Sequence, residues 1–129
     1  MKMSQEVKNA VADCSPAIVA TVSKAGKPNV SAKGSLRVID DEHLLFADIR
    51  SPRTITNLKD NPQVAVLCLN PATRKGCRIW GRAEIMTSGD LFDQLTEEYA
   101  GKNMKVNHVV KITVDEALGF WWFNFKANS

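Results

Sequence analysis

The residues best suited to chemistry in this chain sit together in Ser51-Pro52-Arg53-Thr54, between an apolar run (Leu44, Leu45, Phe46, Ala47) and Asn61-Pro62. Serine is a good helix cap because its hydroxyl can accept from an unpaired first-turn N–H, and proline suits the first helical position, where no N–H is needed. The spacing predicts a short helix starting where Arg53 and Thr54 sit. A helix N-terminus carries partial positive charge and free N–H donors, so a guanidinium and a hydroxyl beside it complete a cradle for a phosphate dianion. The alternative reading is an ordinary capped helix with a solvated arginine.

The elements that must position this segment follow from the apolar pattern. Val7, Ala10, Val11 and Cys14 recur at helical spacing, with Ser4 as N-cap and Glu6 in the first turn. Ala17 to Ser23 is rich in β-formers, Ala25-Gly26 supplies a turn, and Asn29 to Val38 continues extended to the acidic turn Asp40-Asp41-Glu42 and the strand through Phe46. Val64 to Leu69 is a nearly continuous apolar run, which predicts a central strand buried on both faces. A loop from Asn70 to Gly76 precedes a long strand from Cys77 to Met86. Ser88 is the expected cap of a helix carrying Leu91, Phe92, Leu95 and Tyr99 and stopped by Gly101; Val106 to Val114 and Leu118 to Phe125 then read as two closing strands. Many strands and three short helices predict a mainly β fold, an antiparallel closed or split β-barrel with flanking helices, because closure removes exposed edges.

At 129 residues the chain is expected to be a single domain, 1–129, with one core. Apolar residues make up 44% and charged residues 24%, and no run approaches the length of a transmembrane span or the pattern of a secretory signal, so the cytoplasm is the expected location and no membrane partner is expected. A net charge of +3, scattered without a basic block, argues against nucleic acid and suits a single anionic ligand. Cys14, Cys68 and Cys77 lack metal-type spacing and read as reduced thiols. His43 and His108 stand apart, with no metal spacing and no nucleophile elbow, so neither a zinc enzyme nor a hydrolase is expected.

The order and spacing of several pieces together resemble the FMN-binding split-barrel family of pyridoxamine 5′-phosphate oxidase-like proteins, above all its small single-domain members. The pieces are Ala17 to Val22, Gly26 to Gly34, Leu44 to Asp48, Ser51 to Thr54 with Asn57-Leu58, Asn61 to Val66, and Gly76 to Ala83. The resemblance implies FMN as cofactor, an oxidoreductase or electron-transfer role, and a homodimer whose second subunit closes the site. Carried over by position, it implies ring-side residues Val30, Ser31, Ala32, Lys33, Ala47 and Asp48, and phosphate binders Arg53 and Thr54. Cys77 and Arg78, with Trp80, would lie on a strand reaching the flavin, in some relatives across the interface.

The physical chemistry of those positions is consistent with a flavin. Strand N–H and C=O groups can pair with the pyrimidine edge of the ring, and a cation such as Lys33 can stabilise the anionic reduced form. Otherwise Lys33 is a solvent-facing strand lysine and Arg78 a surface or interface ion pair. The aromatics Phe120, Trp121, Trp122, Phe123 and Phe125 read as core or interface packing. Vitamin B6 oxidases of the family carry an Arg- and His-rich C-terminal segment, and the last nine residues here hold only Lys126, so a different activity is expected. The rival readings are a non-catalytic module for flavin, haem or another planar ligand, and use of deazaflavin (F420).

Overall fold

The computed structural model describes residues 1–122. Its seven strands are β1 (Ala17–Val22), β2 (Pro28–Lys33), β3 (Arg37–Asp40), β4 (His43–Asp48), β5 (Gln63–Asn70), β6 (Lys75–Met86) and β7 (His108–Trp121). They form one antiparallel sheet in the order β2-β1-β5-β6-β7-β4-β3. Three helices flank it: α1 (Gln5–Ala12), α2 (Pro52–Asp60) and α3 (Asp90–Ala100). This is the mainly β, split-barrel architecture that the strand pattern predicts.

The long β6–β7 ribbon organises the sheet. One edge of β6 carries β5, from Gln63↔Arg82 to Asn70↔Lys75, and the first half of β7 carries β4, from Asp48↔His108 to His43↔Thr113. Between Trp80↔Glu116 and Gly81↔Val114 the register skips Asp115, a bulge that bends the ribbon and lets the sheet wrap. Gly81 sits at the bend because a Cβ there would lie 2.4 Å from the Thr113 carbonyl oxygen and 2.8 Å from Ile112 Cγ2. The two closing strands expected after residue 106 are thus one continuous strand; the apolar residues on both sides of Asp115-Glu116 belong to the two arms of one bent ribbon. Phe123 and Phe125 lie outside the described residues.

Side chains of the barrel interior include Val19, Leu44, Phe46, Val66, Ile79 and Ile112, closed by Val7 and Val11 of α1 and by Ile55 and Leu58 of α2. A second cluster lies on the other face of β4 and β7, where Leu45, Ala47 and Val109 meet Leu95 and Tyr99 of α3. The strand buried on both faces is therefore β4. In β5 the alternation is clear, with Val64, Val66 and Cys68 buried while Ala65 and Leu67 are half-buried and Leu69 is exposed. The strand is interior to the sheet order as expected, but its second face is open in a single chain.

Capping also divides. Ser4 caps α1 by accepting from Val7 N at 3.2 Å. Ser51 occupies the N-cap position of α2 without a capping hydrogen bond, because its hydroxyl is engaged by Lys33. α3 begins after Gly89, whose φ of 99° favours glycine, rather than at Ser88.

Gly81→Ala is expected to destabilise the fold by about 1–3 kcal/mol, since backbone must move to admit the methyl. Gly34, where an added Cβ meets nothing within 4 Å, is the control. Gly34→Ala should be neutral or slightly stabilising through the unfolded chain. Urea midpoints check the contrast, and equal midpoints would remove the steric account.

Candidate functional site

Helix α2 lies along β1 and β2, and polar contacts fix it there. Ser31 Oγ and Thr54 Oγ1 are 3.1 Å apart, Asn57 Nδ2 donates to Thr21 Oγ1 at 3.0 Å inside the protein, and Lys33 Nζ donates to Ser51 Oγ. Asn29, Ser31 and Lys33 alternate with Val30 and Ala32 along β2, so one set of side chains faces the helix and the other faces out.

Two cavities meet at the start of α2. One, of about 380 Å³, is lined by Ala32, Lys33, Gly34, Ser35, Ala47 and Ser51, among others. The other, about 560 Å³ and open, has Asp48, Ser51, Ile55, Thr56 and His108 on its walls. Arg50 and Ser51 belong to both. Ser35 Oγ holds the Ala47 backbone, accepting from its N–H at 2.8 Å, which fixes the wall between β3 and β4.

Lys33 is 7% exposed, which removes the solvent-facing reading. Burial pushes its ammonium below the ordinary lysine value, and the nearby Asp48 carboxylate offsets part of that shift. Its Nζ also lies 5.4 Å from the centre of the Phe46 ring. Asp48 is 3% exposed; its Oδ2 lies 2.7 Å from His108 Nδ1, while Oδ1 is buried and has no hydrogen-bond partner.

Six of the sequence-predicted residues, Ser31, Ala32, Lys33, Ala47, Asp48 and Thr54, thus converge where β2, β4 and α2 meet. The hydroxyl of Thr54 is buried and engaged with Ser31. Arg53 is exposed beside a separate cavity of about 220 Å³, shared with Ser23, Lys27, Asn29 and Asn57. Val30, 68% exposed, and Arg78 border an apolar hollow on the outer sheet face, and the Arg78 guanidinium lies 5.7 Å from the ring centres of both Trp80 and Phe120.

Cys77 is fully buried opposite Cys68, so its thiol faces the barrel core and only its backbone is on offer to a ligand. The neighbouring Cys77 thiol and burial push the Cys68 thiol up, which keeps it protonated. All three cysteines are free.

Sequence reasoning missed Lys27 beside Arg53, the Lys33–Ser51 contact, and the pairing of Asp48 with His108. Only the last had a local signal: a histidine opening a strand and an aspartate closing one, which antiparallel register brings opposite.

The donor set around α2 fits a phosphorylated planar cofactor. Arg53 and Lys27 supply two cations at a helix start, Lys33 supplies a buried one beside the 380 Å³ cavity, and strand backbone lines the walls.

The lysine burial carries a stability cost with a definite sign. A lysine whose folded pKa is depressed penalises folding below that pKa, and the penalty fades as pH rises toward the ordinary value of 10.5. Lys33→Met should therefore be at least as stable as the parent near pH 7, with its advantage shrinking toward pH 10.5. Chemical denaturation at several pH values checks this; a variant less stable at neutral pH would show that the lysine is structural.

The family model described as pyridoxamine 5′-phosphate oxidase matches residues 3–124. The fold is similar to HupZ of Group A Streptococcus (27% identity, TM-score 0.84, covering 92% of this chain and 94% of that one). It is also similar to an FMN-binding protein of Syntrophomonas wolfei (16% identity, TM-score 0.80, 93% and 87% covered) and to an F420 reductase (20%, 0.70, 90% and 98%). Among curated proteins, an uncharacterized protein of Methanocaldococcus jannaschii is 41% identical over 54 residues, 40% of this chain and 36% of that protein's length. With a match that runs from α1 through β7 and a fold shared along nearly its whole length, this chain belongs to the pyridoxamine 5′-phosphate oxidase family.

Proposed function

We propose that this protein is a cytoplasmic FMN-binding flavoprotein, an oxidoreductase or electron-transfer protein with FMN at a homodimer interface. The observation that carries the reading is the β2–α2 junction, where buried Lys33 engages Ser51 and Arg53 stands with Lys27 at the start of a nine-residue helix. Bound there, FMN would supply reversible two-electron transfer. The chain's own residues do the rest. Arg53 and Lys27 offer cations to a phosphate, the α2 N-terminus adds its dipole, and Lys33 places positive charge beside the ring-side wall made by Ala32 and Ala47.

The second subunit is supported by an exposed apolar face. Ile18, Ala20, Val30, Ala65, Leu67 and Trp80 line one shallow hollow of about 220 Å³ on the outer face of β1, β2, β5 and β6. Leu69 on β5 and Leu118 on β7, 41% and 46% exposed, extend this face on either side of β6. A contiguous apolar surface of this kind is costly to leave in water, and a second copy presenting the same patch would cover it. Since β2 carries Val30 on this face and Ser31 and Lys33 on the other, docking here would bring the partner to the edge of the proposed flavin site.

Arg53→Ala is expected to weaken FMN by about 1.5–3 kcal/mol, the worth of a charge-assisted hydrogen bond, and to leave riboflavin, which lacks the phosphate, nearly unaffected. Equal losses for the two ligands would withdraw Arg53 from the phosphate. Release of the cofactor and its identification by mass separates FMN from F420 and haem.

Dimerisation and FMN binding should be linked, each tightening the other. Sedimentation of the holoprotein at micromolar concentration is expected to give a dimer. A monomer holding stoichiometric FMN would show that one chain builds the whole site.

A further inference from the structure

Asp48 is a ring-side candidate by position, but its pairing with His108 has no part in the phosphate or ring-side account, and its geometry is costly to maintain. Asp48 is taken almost wholly out of water, and while Oδ2 meets His108 Nδ1 at 2.7 Å, Oδ1 is left buried and unsatisfied. A buried polar atom without a partner destabilises a fold, and an apolar side chain at this position would avoid the cost. The surroundings hold the pair rigidly. Asp48 and His108 are register partners, Asn107 N donates to the Asp48 carbonyl at 2.9 Å, and Asn107 Nδ2 donates to the Ile49 carbonyl at 2.7 Å.

Because a carboxylate only accepts, Nδ1 carries the proton and Nε2 is left as the working nitrogen. The His108 side chain is 25% exposed and lies on the wall of the open 560 Å³ cavity. The charged groups on that wall are Asp48 and Arg50; α2 contributes Pro52, Ile55 and Thr56, none of them charged, and Lys33 stands behind Asp48 on the side of β2. His43 supplies a contrast within the molecule. Its Nδ1 also meets a carboxylate, Asp40 at 2.8 Å, but Asp40 is 55% exposed on the β3–β4 turn, as in an ordinary surface pair.

We propose that this cavity is a substrate site for a small organic anion, in which Arg50 holds the anionic group and His108, positioned by Asp48, gives or takes a proton through Nε2. In the donor direction the Nε2–H bond of the His108 imidazolium breaks and a bond from that proton to the substrate's basic atom forms, leaving neutral His108 with its Nδ1–H still hydrogen-bonded to Asp48; the acceptor direction is the reverse. Ser51 and Arg50 line both cavities, so a molecule held here adjoins the Lys33 side. The inference rests on the pair and the cavity, independently of which cofactor the protein carries.

Iodoacetate, a small carboxylate that alkylates imidazole nitrogen, is the probe. On the protein as purified, peptide mapping by mass spectrometry is expected to find carboxymethylation at Nε2 of His108 about tenfold faster than at His43, and about tenfold faster than the reaction of His108 with uncharged iodoacetamide. Arg50→Gln, a change at an exposed residue, should bring the iodoacetate rate down to that of iodoacetamide. Equal rates at the two histidines, or no effect of Arg50→Gln, would overturn the site. Nitrogen-15 spectra of labelled histidine test the positioning role: neutral His108 should be the Nδ1–H tautomer in the parent and shift toward Nε2–H in Asp48→Asn. A parent already in the Nε2–H form would overturn it.

Discussion

Everything in this molecule hangs on the pairing of β6 with β7. The two strands stay in register from Lys75↔Trp121 to Met86↔Val109, apart from the bulge at Trp80/Gly81. A flat ribbon of this length could not serve both halves of the sheet, because β5 pairs along the outer edge of β6 and β4 along that of β7. The bend at Gly81 turns one ribbon into two arms, and the space between them is the barrel core. The position of α2 follows: it connects β4 in one arm to β5 in the other, so its start must lie where the sheet curls closed against β2.

That placement explains why so much polarity is tolerated inside. Lys33, Asp48, Thr54, Asn57 and Thr21 are all buried, a heavy polar load for a small domain. Most are matched: Thr54 by Ser31, Asn57 by Thr21, Lys33 by Ser51. These bonds fasten the helix to the sheet and carry their own justification. Lys33 and Asp48 differ, because one is desolvated beyond what its neighbour restores and the other keeps an unpaired oxygen. Groups held at a cost beside open cavities are where binding and proton transfer are expected.

The succession of elements along the chain was largely legible because it depends on local pattern: periodicity, turn residues and the Ser51-Pro52 start; the exception is Asn29 to Val38, which reads as one extended stretch but turns at Gly34-Ser35 into β2 and β3 on opposite edges of the sheet. What was not legible required knowing who lies opposite whom. Ser51 reads as a cap from its neighbours in sequence, and its hydroxyl is taken instead by a lysine eighteen positions earlier on another strand. Val64 to Leu69 and Leu44 to Ala47 are both apolar runs, and nothing local says that α3 will cover the second face of β4 while the second face of β5 stays open. Cys77 was readable in hindsight from alternation alone: if Arg78 and Trp80 are on different faces from Ile79, then Cys77 shares the core with Ile79.

On β2 and β6 a period of two separates the side chains that build the core and hold α2 from those that make the outer apolar face, so a single strand serves two surfaces at once. Arg78 sits on that outer face between two aromatic rings, its guanidinium 5.7 Å from each ring centre. Its stacking leaves the guanidinium edge as a donor beside an apolar hollow, an arrangement that gains value only when something apolar, bearing an acceptor, covers the hollow. The cations nearest β2 are thus distributed on both sides of it: Arg53, Lys27 and Lys33 toward the helix, and Arg78 toward whatever meets the sheet. Under the proposed dimer, Arg78 is the cation that the second subunit would meet.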